Sequence, residues 1–237
     1  MLHYFKKVCV LALLPLSCLS VLGQLIGDCS TENWEEVVGV VHYSSEGVCE
    51  YEVDDWSSPN FLELDIAPLI QSSSQIHHFQ FYCDMSGLDL YSDARFRPFE
   101  IISANNKRFL SIDLAWNPSR LATDPALVVY GECIKAGVGI TPKPAIIELG
   151  QMRLPDGYEG LLIQISWKPN SSPGVNDGWL EFYVNGVLAG REEGPYSPSN
   201  PWRPKLVRFG STNTPQKPPV GIFRIRPGNP APYAFHL

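Results

Sequence analysis

Helical periodicity is nearly absent from this chain of 237 residues. Apolar residues instead recur at every second position in many short segments, which is the spacing of half-buried β-strands. The chain also has no internal repeat and no long low-complexity linker. Because 44% of its residues are hydrophobic and 18% are charged, it can bury a core and is not a disordered protein. We therefore predict a single all-β domain, with at most one helical turn within residues 61–70.

Basic residues are also scarce. The sequence has 18 Lys and Arg against 25 Asp and Glu, a net charge of −7. A nucleic-acid-binding protein needs a basic stripe to neutralise phosphates, and none is present. Only two local basic patches are expected, and they comprise Arg95 with Arg97, and Arg203 with Lys205 and Arg208.

Only one long apolar run occurs, from Val8 to Leu22, and it follows Lys6 and Lys7. It is shorter than the ~20 apolar residues that span a bilayer, and Pro15 interrupts it. These features predict a signal peptide cleaved before Gln24, with a lipoprotein signal ending at Cys18 as the weaker alternative. No later stretch can span a membrane, so we expect an extracellular or periplasmic protein with no transmembrane segment.

The expected organisation has three parts. Residues 1–23 form the signal peptide, residues 24–226 a β-sandwich, and residues 227–237 an extended tail. Removal of residues 1–23 takes away Lys6 and Lys7 and no acidic residue, so the net charge falls from −7 to −9. A negative charge of this size favours neutral glycans over acidic polymers as ligands.

No cysteine follows Cys133 in the sequence. The cysteines that follow the signal peptide are Cys29, Cys49, Cys83 and Cys133. Four cysteines in a secreted chain suggest two disulfides in one of three connectivities. Cys29–Cys49 and Cys83–Cys133 is the preferred pairing because it closes the shorter loops, and free buried thiols are the alternative. No pair has the short spacing of a zinc site.

The clearest strand pattern runs from Trp179 to Val184. Leu180, Phe182 and Val184 share one face of this strand, and Trp179, Glu181 and Tyr183 share the other. Asn185-Gly186 follows at once and predicts a type I′ hairpin turn into Val187–Ala189. Asn105-Asn106 predicts a second hairpin turn. The other predicted strands are His77–Tyr82, Phe99–Ile102, Phe109–Ala115, Ala126–Gly131, Ala145–Leu149, Leu161–Trp167, Lys205–Phe209 and Gly221–Ile225.

The segments 160–170 and 177–189 together resemble the central hairpin of concanavalin A-like lectin/glucanase domains, a superfamily that includes laminin-G-like modules and polysaccharide lyases. Residues 206–211 and 221–226 resemble the strands that follow it. The resemblance implies an antiparallel two-sheet jelly-roll sandwich. It leaves function open, because the superfamily contains lectins, adhesion modules, hydrolases and lyases.

Two catalytic patterns of this superfamily are only partly present. Glu63 and Asp65 resemble the start of the acidic strand of retaining glucanases, but the second essential Glu is missing near Ala67 and Pro68. Gln75-Ile76-His77 resembles a tripeptide of alginate-lyase-like members, in which a His and a Tyr move the proton and an Arg neutralises the uronate. The lyase alternative therefore assigns catalysis to His77, Tyr82 and Arg97. No Ser-His-Asp or Cys-His signature is evident.

Carbohydrate binding without catalysis requires a less specific set of residues than the two catalytic patterns do. Sugar rings stack on Trp and Tyr, and sugar hydroxyls pair with amide and carboxylate groups. Strand alternation points a polar and aromatic set outward, and we expect it to bind a glycan or a cell-surface polysaccharide. A purely structural surface protein is a third interpretation. The predicted ligand-binding residues are His78, Gln80, Tyr82, Asp113, Gln164, Trp179, Glu181 and Tyr183.

No metal or other cofactor is predicted. Calcium helps laminin-G-like and legume-type relatives, and it needs six to eight oxygen ligands. The segment 170–177 supplies only Asp177, Asn176 and main-chain carbonyls, so calcium is unsupported.

Overall fold

Antiparallel strands make up nearly all of the described chain. The computed structural model describes residues 36–38, 41–43, 48–53, 59–68, 76–89, 95–116, 126–135, 145–155, 160–168, 170–171, 175, 177–193, 204–212 and 220–227. The predicted signal peptide, its cleavage site, Cys29 and the tail from residue 228 lie outside these residues. The strands are β1 Glu36–Val38, β2 Val41–Tyr43, β3 Cys49–Val53, β4 Asn60–Asp65, β5 His77–Asp89, β6 Arg95–Ser103, β7 Arg108–Trp116, β8 Ala126–Lys135, β9 Ala145–Pro155, β10 Gly160–Lys168, β11 Trp179–Val184, β12 Val187–Glu193, β13 Pro204–Thr212 and β14 Val220–Pro227.

Hydrogen bonding runs through all 14 strands, but the sheet folds over between β9 and β12. These two strands pair at Gly150 and Gly190. A Cβ on Gly150 would collide with the carbonyl oxygen of Ala189, so glycine permits the close crossing. The fold-over separates two layers of seven strands. Sheet I has the order β1-β4-β13-β6-β7-β8-β9, and sheet II has the order β12-β11-β10-β5-β14-β3-β2.

The core lies between the two layers and is rich in aromatic rings. Phe81 of sheet II stacks on Phe99 of sheet I with ring centroids 4.9 Å apart. It also meets Phe209 of sheet I edge to face at 5.5 Å. Phe182 of sheet II reaches Gly131 of sheet I, where a Cβ would lie 2.6 Å from its ring. These contacts between layers confirm the predicted antiparallel sandwich.

Both predicted hairpin turns are present. Asn185 and Gly186 have φ values of 51° and 78°, the two positive angles that a type I′ turn requires. Asn185 also accepts a hydrogen bond from the amide of Leu162 at 2.8 Å, which ties the turn to the neighbouring strand β10. At the second turn Asn106 has a φ of 59°, and the amide of Ser103 donates to the carbonyl of Lys107 at 2.9 Å.

The predicted Cys83–Cys133 disulfide is wrong, because these two buried cysteines are not bonded to each other. Cys83 lies in sheet II between Leu161 and Ile225, whereas Cys133 lies in sheet I. Packed sheets are about 10 Å apart, whereas a disulfide joins Cα atoms roughly 4.4–6.8 Å apart. Burial raises the pKa of the Cys83 thiol well above its usual value, and the neighbouring Asp84 adds to this. Cys49 is disulfide-bonded, and the assignment of Cys29 as its partner stays a prediction.

The start of the chain differs most from the predicted strands. The expected helical turn in residues 61–70 is wrong where it is described, because residues 60–65 form the extended strand β4, which pairs on both sides. The Asp65 carboxylate ends this strand by accepting a hydrogen bond from the amide of Ala67 at 2.7 Å. Strands β1, β2 and β3 were not predicted, since each is short. No helix long and apolar enough to cross a membrane occurs among the described residues.

Candidate functional site

The outer face of sheet II presents two neighbouring rows of polar side chains across strands β5, β10 and β11. Gln80, Gln164 and Tyr183 stand opposite one another in one row. In the other row, Ser166 stands between His78 on β5 and Glu181 on β11. We call this face the platform, and its residues are His78, Gln80, Tyr82, Gln164, Ser166, Trp179, Glu181 and Tyr183, with Arg191 and Glu193 on β12.

Hydrogen bonds between neighbouring strands order the platform. The Gln164 amide donates to Gln80 Oε1 at 3.2 Å. His78 Nδ1 and Ser166 Oγ are 2.8 Å apart, and His78 is exposed. Burial of part of the ring lowers the pKa of His78 below 6.5, which favours the neutral imidazole. The centre of the platform is thus an ordered, open surface of neutral polar groups.

Trp179 stands at one corner of the platform beside a set of charges. The guanidinium of Arg191 lies 6.0 Å from the centre of the Trp179 ring. Arg191 is held there by Glu181 at 2.5 Å and by Glu193 at 2.9 Å. Tyr183 Oη donates to the other oxygen of Glu181 at 2.7 Å, and this hydrogen bond raises the pKa of Tyr183. Two carboxylates therefore surround one guanidinium next to an aromatic ring.

The outer face of sheet I is very different, because its charged side chains are shielded from solvent. One row crosses the sheet from β4 to β8 through directly opposed residues. Arg208 donates to Glu63 at 2.6 Å and to Glu100 at 3.1 Å. We call this surface the charged face, and its central row is Glu63, Arg208, Glu100, Ser111 and Glu132.

Asp113 is the most enclosed carboxylate of the charged face, with 0% of its surface exposed. Arg97 donates hydrogen bonds of 2.6 and 2.9 Å to this carboxylate, and Arg95 donates another of 2.7 Å. Burial alone would lower the pKa of Arg95, but Asp113 and Glu132 more than offset this and raise it. Both guanidiniums are therefore already ion-paired with a carboxylate of the protein.

Ser111 lies at the bottom of the charged face between Glu100 and Glu132 on the adjacent strands. It is fully buried, and its Oγ has no hydrogen-bond partner among the described residues. Arg108 stands nearby and donates to Glu132 at 3.1 Å. Burial and the charge of Arg97 together lower the pKa of Arg108. The face is therefore a compact network of charges and not an open binding surface.

The structure brings most of the predicted ligand-binding residues together. All but Asp113 lie on the platform, on the side of each strand that the alternation predicts. Asp113 does not join them, because it belongs to the charged face on the other sheet. Whether the platform residues bind a ligand stays a prediction.

The residues of the lyase alternative are not brought together. His77 points into the core, where its ring lies 5.0 Å from that of Trp167. Tyr82 lies on the platform, and Arg97 lies on the charged face. His77 and Tyr82 stand on opposite sides of β5, because side chains alternate along a strand. Arg97 is separated from both because its strand, β6, belongs to the other sheet.

Other sequence candidates have structural partners. Glu63 of the partial glucanase pattern binds Arg208. Three arginines of the predicted basic patches are likewise paired, since Arg95 and Arg97 bind Asp113 and Arg208 binds Glu63. In the segment considered for calcium, Asp177 accepts the amide of Ser171 at 2.8 Å and lies 3.5 Å from Lys168. No cluster of metal-ligating side chains occurs in the described ranges.

Sequence reasoning missed the charged face. Its signal is a single charged residue inside an otherwise apolar strand, as for Glu100 within Phe99–Ile102 and Arg208 within Leu206–Phe209. Period-two alternation explains each of these as an ordinary outward side chain. Only the register shows that the charges lie in one row.

Comparison with known proteins finds neither a matching family nor a matching curated protein at the level of sequence. Solved structures do match. An endo-β-1,4-glucuronan lyase from the fungus Trichoderma reesei superposes with a TM-score of 0.53 and 10% identity, over 86% of this chain and 94% of the lyase. The alginate lyase Aly36B superposes with a TM-score of 0.50 and 12% identity, over 79% of this chain and 80% of the lyase.

The chain has the concanavalin A-like jelly-roll fold. The resemblance of its central hairpin to this superfamily is therefore confirmed as a statement about fold. Identities of 10–12% carry no statement about activity.

Proposed function

We propose that this protein is a secreted carbohydrate-binding module that performs no catalysis, and that the platform is its binding surface. The observation that carries the proposal is the alignment of Gln80, Gln164 and Tyr183 in one row, next to the row that contains His78 and Ser166. These groups offer hydroxyl and amide hydrogen bonds at the spacing of adjacent strands, about 4.8 Å. A flat array of this kind suits a polysaccharide lying across the strands.

Aromatic rings complete the argument. Tyr82, Tyr183 and Trp179 are all partly exposed on the platform. Pyranose rings present apolar faces that stack on such rings, while their hydroxyls pair with neighbouring polar groups. Phe61 on the charged face is instead buried, with the guanidinium of Arg208 lying 4.7 Å from its ring centre.

The case against catalysis rests on how the arginines are used. A lyase must neutralise the uronate carboxylate before it removes the neighbouring proton. Arg97, the candidate for this role, already binds Asp113 with two hydrogen bonds. The candidate base His77 is buried against Trp167. Neither residue can perform its step without dismantling the core or a buried ion pair.

Secretion is the part of the proposal that rests on sequence alone, since residues 1–23 lie outside the described structure. N-terminal sequencing of the protein recovered from culture medium tests it, and a mature chain that begins at Gln24 is expected.

One combined assay tests binding against catalysis. The purified protein is applied to a glycan array and is also incubated with a panel of polysaccharides. Absorbance near 235 nm reports unsaturated uronates, and reducing ends report hydrolysis. We expect array signals without turnover, and we expect Trp179→Ala and Tyr183→Ala to lose these signals. Arg153→Gln, an exposed change on sheet I, is the matched control and keeps them.

Turnover that His77→Ala or Tyr82→Phe abolishes would overturn the proposal in favour of a lyase. Silence in every arm would favour a structural role. Signals that survive both platform variants would move the binding surface elsewhere on the molecule.

A further inference from the structure

Four arginines on the two outer faces share one arrangement, in which the guanidinium lies close to two carboxylates of the chain. Arg191 lies between Glu181 and Glu193. Arg224, on the same sheet, lies 2.7 Å from Glu50 and 3.5 Å from Asp84. The same holds on sheet I, where the pairs of carboxylates are Asp113 with Glu132 for Arg95, and Glu63 with Glu100 for Arg208.

This arrangement decides what charge a ligand can carry. A ligand carboxylate that approached Arg191 would also approach two carboxylates of the protein, and like charges at such distances repel. Lys168 stands opposite Trp179 on β10 and lies 3.5 Å from Asp177, so those two charges balance. Arg191, Glu181 and Glu193 then leave one negative charge in excess at this corner. A cation is therefore the complementary partner at this corner of the platform.

Glu193 is the carboxylate best placed to receive a cation. It stands directly opposite Trp179 across β11 and β12, and its side chain is 72% exposed. Both hydrogen bonds from Arg191 go to Oε1. No partner of Oε2 is recorded within the described part of the chain, so this oxygen faces solvent with its acceptor capacity open.

The Trp179 ring already has a cation beside it. Arg191 lies 6.0 Å from the ring centre, at the limit of a cation–π contact. Its side chain is 46% exposed, so it is not locked in place by packing. The ring, Glu181 and Glu193 thus form a corner that accepts a positive group, and Arg191 supplies it when no ligand is present.

We propose that the platform selects glycans that carry free amino groups, and that Glu193 Oε2 receives a sugar ammonium while the sugar ring packs against Trp179. This inference rests on the proposed function, because it names the class of glycan that the same surface binds. Arg191 is then a competitor of the ligand and not a contact for it.

The test compares three oligosaccharides of equal length by isothermal titration at mildly acidic pH and fixed ionic strength. They are a β-1,4-linked glucosamine oligomer, its neutral N-acetylated counterpart, and an oligoglucuronate. We expect affinity to fall in that order. Glu193→Gln should weaken binding of the glucosamine oligomer about three- to fivefold, the value of an exposed ion pair. Binding of the N-acetylated oligomer should stay within about twofold.

Arg191→Gln gives a change of opposite sign. It releases both carboxylates, so binding of the glucosamine oligomer should strengthen by a similar factor. Glu52→Gln is the matched control, because Glu52 is also exposed on sheet II and its loss changes the net charge equally. It should leave all three affinities unchanged, which separates a local effect from the attraction of an acidic chain.

Oligoglucuronate binding as tight as glucosamine binding would overturn the inference, as would equal effects of Glu193→Gln and Glu52→Gln. The N-acetylated oligomer distinguishes this failure from that of the proposed function. If it binds and Trp179→Ala abolishes its binding, the platform remains a glycan site with a different selectivity. If none of the three oligomers binds, both proposals fail.

Discussion

The two outer faces of the sandwich follow the same alternation along their strands, yet their side chains lie in opposite environments. On sheet I the outward residues are charged and shielded, as for Asp113 and Glu100. On the platform of sheet II they are mostly neutral and at least partly exposed, as for His78 and Gln164. A buried ion pair is costly unless each charge keeps its partner, whereas an exposed polar group costs little. Sheet I thus depends on its outer face for stability, and sheet II leaves its outer face available for ligands.

The largest expected effect is on the charged face. Asp113→Asn leaves the guanidiniums of Arg95 and Arg97 without their shared carboxylate, which should lower the free energy of unfolding by about 3–5 kcal/mol. Glu193→Gln removes the same charge from the platform and should cost less than about 1 kcal/mol, because its ion pair is exposed. Urea denaturation measures both, and equal losses would contradict the contrast between the faces.

A second comparison concerns the two sides of strand β11. Phe182 is fully buried and reaches across to Gly131 of the other sheet. Phe182→Ala should therefore cost about 3–5 kcal/mol. Trp179→Ala, on the platform side, should cost about 1 kcal/mol and remove ligand binding instead. Thermal unfolding and glycan titration of the two variants separate these effects. A larger stability loss for Trp179→Ala would mean that the platform is also a packing surface.

The hairpin that joins β11 to β12 tests the backbone of the platform. Gly186→Val places a β-branched residue at a φ of 78° and should cost more than about 1 kcal/mol. No atom lies within 4 Å of a Cβ at this position, so the loss reports backbone strain alone. Gly186→Asn serves as the control, because Asn tolerates positive φ and should cost less. Equal unfolding midpoints for the two variants would argue against the type I′ turn.

The smallest expected effect is the pH dependence due to His78. Its pKa in the folded protein is lowered below 6.5, so the folded state binds fewer protons than the unfolded chain just below that pH. Stability is unaffected above pH 6.5, falls as the pH decreases through the folded pKa, and levels off below it. His78→Gln, which keeps a hydrogen-bond acceptor for Ser166, should flatten this part of the profile. Denaturation midpoints that coincide for both proteins between neutral and mildly acidic pH would contradict the shift.

Much of the fold was predictable from local pattern. The inward set of Leu180, Phe182 and Val184 is buried as the alternation predicts, and the Asn185-Gly186 turn lies where its dipeptide indicates. Most of the platform could also be predicted, because the alternation that buries Phe79 and Phe81 turns the residues between them outward. Period two depends on bond geometry within one strand, so a single sequence is sufficient to reveal it.

The predicted groupings that the structure separates are those that depend on how distant strands meet. His77 was grouped with Tyr82 and Arg97 by chemical type, but the three side chains stand on different surfaces. Cys83 and Cys133 were paired because their loop is short, although their strands belong to opposite sheets. A sequence gives the separation of two residues along the chain. Whether they share a surface or a sheet depends instead on how the strands pair.

The sequence by itself determined most strands from β5 onward, their buried sides and the hairpin that supports the platform, since these follow from side-chain alternation and from turn chemistry. Only the tertiary structure decided that Asp113 is enclosed by two arginines while Trp179 stays partly exposed, and that Arg191 lies between two carboxylates. The physical reason is that shielding and ion pairing depend on which strands become neighbours and on how the sheet folds over at Gly150 and Gly190. Strand pairing and the fold-over bring together residues that are far apart in the chain, so they leave no periodic signal within any one strand.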